Sequence, residues 1–167
     1  MKVVGQPFTS YFYAPIKQVM YHLLLTHSTL RYFVLVLLIL VIVLAYLGWQ
    51  GKKPYGRMDG IAGMLLFSLT HTQLLVGLIL YFVSPHVQFS GAAMKDANLR
   101  YWTTEHIVMM LISITLITMA RITSKKMTDD TARHKRMFIF NLIALIIILM
   151  AIAMSHRGFF SLPTTAI

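Results

Sequence analysis

The chain has 167 residues, 57% of them hydrophobic, and its 15 Lys and Arg against 5 Asp and Glu give a formal net charge of +10. That apolar share, with a mean hydropathy of +0.71, lies well above the balance of a soluble domain and places the chain in the membrane class. The absence of cysteine excludes disulfides, thiolate metal sites and cysteine-held iron–sulfur clusters, and cations gathered in short loops beside apolar runs, instead of along one groove, argue against a nucleic-acid partner.

Met1 to Pro15 carries one lysine and several aromatics but no apolar stretch ahead of a small-residue cleavage site, so no cleavable signal is expected and insertion falls to the first helix. Tyr11 to Thr26 mixes Tyr, Phe, Lys and Leu, which suits a helix lying at the outer interface before the first span, with a continuous extension of that span as the alternative. Four apolar runs follow, Ser28–Gly48, Gly60–Val83, Thr103–Ile122 and Met137–Met154. Each supplies the roughly 20 residues needed to cross a hydrocarbon core about 30 Å thick. The first loop, Gly51-Lys52-Lys53-Pro54-Tyr55-Gly56-Arg57, has the residues of a tight turn, with Asp59 placed to cap the second helix. The third, Thr123 to Lys135, is cationic apart from Asp129 and Asp130 and reads as a solvated turn. Short connections make an all-α, antiparallel up-down-up-down bundle of four transmembrane helices the simplest architecture, a single domain over residues 1–167 in which each helix packs beside its sequence neighbour.

Lys52, Lys53 and Arg57 in the first loop and Arg121, Lys125, Lys126, Arg133, Lys135 and Arg136 around the third set the expected topology. By the positive-inside rule both loops are cytoplasmic, and the termini and the loop Ser84 to Trp102 face outward.

Seven histidines hold most of the functional information. His71 lies within an apolar run, where an unpaired ring is costly, so it is expected to face the bundle interior and find a partner, either a hydrogen-bonding side chain or a cofactor. Counting from the cytoplasmic ends puts His71 about 18 Å above Asp59 and His106 about 22 Å above Arg121, nearly level, so two imidazoles could meet one haem iron. The same count sets His27 about 33 Å above Trp49 and His156 about 30 Å above Arg136, nearer the outer surface; His27 reaches His106, or a second cofactor, only if the first helix tilts or bends. Arg31 lies one turn after His27, on the same face, and can snorkel, pair with Glu105 or hold a haem propionate. His22, His86 and His134 fall in interfacial or loop segments and read as surface residues. A di-iron site is poorly supplied, because the membrane region offers only Glu105 as a carboxylate, and zinc would need three or four ligands converging from different depths. Most of the 12 methionines read as apolar filler, and Gly60, Gly63 and Gly77 permit close helix approach or room beside a flat ring.

The runs His27-Ser28-Thr29-Leu30-Arg31-Tyr32, His71-Thr72-Gln73-Leu74-Leu75-Val76-Gly77-Leu78-Ile79-Leu80-Tyr81 and Glu105-His106-Ile107-Val108-Met109-Met110 together resemble a family of short, four-span, cytochrome-b-like bacterial membrane proteins. The resemblance covers nearly the whole chain. It implies a b-type haem, with His27, His71 and His106 as the matching histidines and Arg31 as the accompanying arginine. The family's Pro-Trp near the end of the last span is replaced here by Met154-Ser155-His156-Arg157.

The expected function is therefore that of a haem b electron carrier, with one haem or two, or a small subunit of a respiratory assembly in the bacterial inner membrane. Its partners would be the lipid bilayer, and a quinone or another respiratory membrane protein; no nucleophile–base constellation suggests a stand-alone enzyme. A haem-free scaffold or assembly subunit and a histidine-ligated membrane metalloprotein are the competing classes.

Overall fold

The computed structural model describes residues 8–163 apart from 156 and 160. Four long helices make up most of it: α1 (Phe8–Gln50), α2 (Arg57–Val83), α3 (Ala97–Lys125) and α4 (Asp130–Met154), with one short 3₁₀ turn at Ala93–Lys95 and no strand among the described residues. All four are long and apolar enough to cross a membrane, and each keeps large apolar side chains on its outer surface, such as Val36, Leu75, Leu111 and Ile146. In water such surfaces would be a liability; facing lipid they are satisfied. The chain is a multi-pass membrane protein.

The helices outrun the apolar cores expected from sequence. Tyr11 to Thr26 and the first span form one continuous helix of 43 residues. α4 starts at Asp130, nearly two turns before Met137, because Asp129 caps it: its carboxylate accepts from Thr131 N and Ala132 N at 3.2 and 3.0 Å. Asp59 caps α2 from the third helical position, accepting from Gly56 N at 2.9 Å.

Around the bundle α2 packs on α1, α1 on α4 and α4 on α3, whereas α2 and α3, consecutive in sequence, meet over much less of their length. The four-helix bundle expected from sequence is present, with this pair of sequence neighbours held together over a shorter stretch than the others. Leu38, Leu66, Ile117 and Ala144 form the closed centre of the core. The bundle opens toward the end that carries the Ser84–Asp96 loop, and the cationic first and third loops lie together at the other end.

α3 is not a uniform α-helix. Tyr101–Glu105 is a π-helical turn, closed by a bond from His106 N to the carbonyl of Tyr101. In an α-helix residues five apart point about 140° away from each other; a turn with i→i+5 bonding brings them close to one face. Tyr101 and His106 are thereby brought to one side of α3, with the Tyr101 hydroxyl 3.3 Å from His106 Nδ1.

Candidate functional site

The opening holds three adjoining cavities of about 240, 100 and 360 Å³, and among the described residues only His27 and His106 line all three. Their ring centroids are 6.5 Å apart with planes inclined at 70°. His27 comes from α1, which presses its ring against the bare backbone of Gly77 on α2: a Cβ added there would stand 3.0 Å from His27 Cε1. Gln73, one turn deeper on α2, fixes the same stretch of α1 by donating from Nε2 to the carbonyl of His27 at 2.9 Å.

The bonds around His106 determine its tautomer. The Tyr101 hydroxyl donates to the carbonyl of Ala151 on α4 at 2.5 Å and lies 3.3 Å from His106 Nδ1. A hydroxyl has one proton, and a carbonyl can only accept. His106 Nδ1 must therefore be the N–H that donates to Tyr101, which leaves Nε2 bare. An imidazole held in this way by its second nitrogen is the usual state of a metal-ligating histidine. His27 Nδ1 is buried with no partner among the described residues, an arrangement that is costly unless something fills it.

His71 does not join this pair. Its Nδ1 donates to the carbonyl of Phe67 at 2.8 Å and its ring lies over Phe67 at 4.2 Å, so its partner comes from its own helix. It does share the bare-Nε2 tautomer of His106. Tyr81 donates to the carbonyl of Thr103 at 2.7 Å, which fixes the register of α2 on α3 and sets His106 about 10 Å of helix rise nearer the open end than His71. The close approach of His27 to Gly77, six residues beyond His71, gives nearly the same offset. The levelness of His71 and His106 counted from the loops is thus overturned, as is the extra distance assigned to His27.

Arg31 lines two of the three cavities with His27. It does not pair with Glu105, whose carboxylate takes Arg100 at 2.7 Å. Instead Arg31 Nη2 donates to the Tyr32 hydroxyl at 3.0 Å and reaches the carbonyls of Phe159 and Ser161. Arg157 also lines the chamber, its guanidinium 4.4 Å over the ring of Trp102. Sequence reasoning missed Tyr101, Gln73 and Arg157 as site residues. Gln73 carried a signal, an amide within an apolar span; the other two sit at span ends, where polar residues are ordinary. His22 and His86 are exposed, as expected, and His156 lies outside the described residues.

His134 is a correction. Expected in a solvated loop, it sits on the second turn of α4 and is 1% exposed, because the Asp129 cap starts the helix early. Its ring lies directly against Gly48 of α1 and 5.0 Å from the ring of Tyr55, and neither ring nitrogen has a partner among the described residues. Arg133 covers the other side of Tyr55 at 4.0 Å, and burial pushes the Tyr55 phenol up, against the pull of Arg121 and Arg133.

The chamber's two imidazoles are as many protein ligands as a haem would take. With each nitrogen at about 2.0 Å from a shared metal, two imidazole centroids would lie roughly 6.3 Å apart, close to the 6.5 Å observed. Among the described residues no three His, Asp or Glu side chains converge on one point, as a structural or catalytic zinc would require; a porphyrin brings four nitrogens of its own and asks the protein for only two. Compared with known proteins, the chain matches no family, no curated protein and no solved structure.

Proposed function

We propose that this chain is a b-type haem-binding membrane protein that carries electrons, alone or as a small subunit of a respiratory assembly, with its haem between His27 and His106. The observation that carries the reading is the pair of imidazoles from α1 and α3, with ring centroids 6.5 Å apart, lining one chamber within the bundle. His27 and His106 would hold the group from two helices, Gly77 leaves room for the His27 ring, Tyr101 keeps the His106 proton on Nδ1, and Arg31 offers a cation to acid groups at the rim. When bound, haem supplies a one-electron couple whose potential depends on its axial ligands and on the polarity around them. His71 keeps a bare Nε2 below the chamber, outside the facing pair. By the positive-inside rule the cationic loops support an orientation with the chamber in the outer half of a bacterial inner membrane and both termini outside.

The test is the haem content and optical spectrum of the purified protein. A sharp Soret band with α and β bands on reduction is expected. A featureless visible region would leave the histidines with a purely structural role and return the chain to the scaffold class.

A further inference from the structure

The chamber collects positive charge that its described walls do not balance. Arg31 from α1 and Arg157 from the segment after α4 line the same cavity, and none of the chain's 5 acidic residues lines it. Glu105 is bound to Arg100, Asp96 caps the start of α3 through Leu99 N, and Asp59, Asp129 and Asp130 lie at the cationic end. Arg31 is held in position by Tyr32 and by the carbonyls of Phe159 and Ser161, yet its Nε is buried without a partner among the described residues. For Arg157, desolvation pulls the pKa below the ordinary arginine value; Tyr101 opposes this and the Arg31 charge adds to it. Two guanidiniums lining one cavity repel one another unless an anion joins them, and the planar fork of arginine matches carboxylate geometry.

We propose that Arg31 and Arg157 form a two-guanidinium clamp for a pair of carboxylates on the ligand of the His27–His106 chamber. The clamp sets the ligand's orientation, acid groups toward the rim and ring system toward the imidazoles. The proposal rests on the tetrapyrrole reading above and identifies the acid groups as the two propionates. The carbonyls of Phe159 and Ser161 aim Arg31 and lie two and four residues after Arg157 in the chain, which ties the two halves of the clamp together.

Metal-free protoporphyrin IX and its dimethyl ester, titrated by fluorescence onto the purified full chain in detergent, separate carboxylate recognition from iron ligation. The free acid is expected to bind at least about tenfold tighter than the ester, since a charge-assisted bond is worth a factor of that order. Arg31→Gln and Arg157→Gln should each weaken the acid about tenfold and leave the ester unchanged, and Arg157→Lys should recover part of the loss. Equal affinity of the wild-type chain for acid and ester overturns the clamp while leaving the tetrapyrrole reading intact, and so does equal loss of both ligands in the variants. Binding of neither porphyrin overturns the clamp, and failure to take up haem as well overturns the tetrapyrrole reading. Should Arg31→Gln fail to fold, Arg157→Gln, outside the spans, carries the decision.

Discussion

One hydroxyl proton decides how His106 meets a ligand. Because the Tyr101 proton is committed to the Ala151 carbonyl, Tyr101→Phe removes the only described acceptor of His106 Nδ1–H and frees the ring to turn or change tautomer. Loss of such a supporting partner costs about 10- to 100-fold in metal-site affinity. Haem retention by the variant should fall by that factor in a haem-transfer assay while the residual bound haem keeps its low-spin bands. At the ligands themselves, His27→Met and His106→Met should each raise the reduction potential or turn the spectrum high spin, as methionine ligation does in cytochromes c, and His71→Met should do neither. A large change from His71→Met with a silent His27→Met would break the facing pair. The histidines were legible in the sequence because an imidazole inside an apolar run is conspicuous. Which two would meet was not, since the level of each ring depends on helix register, and register rests here on single contacts such as Tyr81 on Thr103.

The elements were legible to the extent that lipid writes them: runs of about 20 apolar residues mark the spans, but their ends are set by capping and local turns. α4 shows the consequence. Its Asp129 cap brings His134 into the helix and against Gly48, where a loop had been expected. Asp129→Ala should cost about 1 kcal/mol of stability, read as a lower melting temperature in detergent. Gly48→Ala puts a methyl into the His134 ring and should cost about 1–3 kcal/mol. Gly48→Ala with His134→Ala should be less destabilised than the sum of the two single changes, because the pair shares one packing defect. Strict additivity would mean that the ring does not rest on Gly48. The His134 and Gly48 variants should leave the haem spectrum of the folded fraction unchanged, for the site they alter is at the far end of the bundle from the chamber. The π-helical turn of α3 left no mark in the sequence, yet it brings Tyr101 over His106, because no residue pattern distinguishes one extra residue in a turn from a continuous α-helix.

At the scale of the whole molecule, the division between a closed cationic end and an open chamber end fixes what each side of the membrane sees. Nine of the 15 Lys and Arg residues flank or fill the first and third loops, and the structure brings those loops to one end: His134 lies against Gly48, Arg133 over Tyr55, and the Tyr55 phenol is influenced by both Arg121 and Asp59. Insertion retains short cationic loops on the cytoplasmic side, so the chamber end, with the Ser84–Asp96 loop and the residues after Met154, should face outward. Reporter fusions at Lys53 and Lys126 test this directly, with activity from a cytoplasm-specific reporter and silence from one that folds only outside. Outside activity at both positions would invert the molecule and place His27, His106 and the two arginines in the cytoplasmic half. An electron partner on the opposite face would then be required, because among the described residues the chamber opens toward the Ser84–Asp96 end while Leu66, Ile117 and Ala144 close the centre of the core.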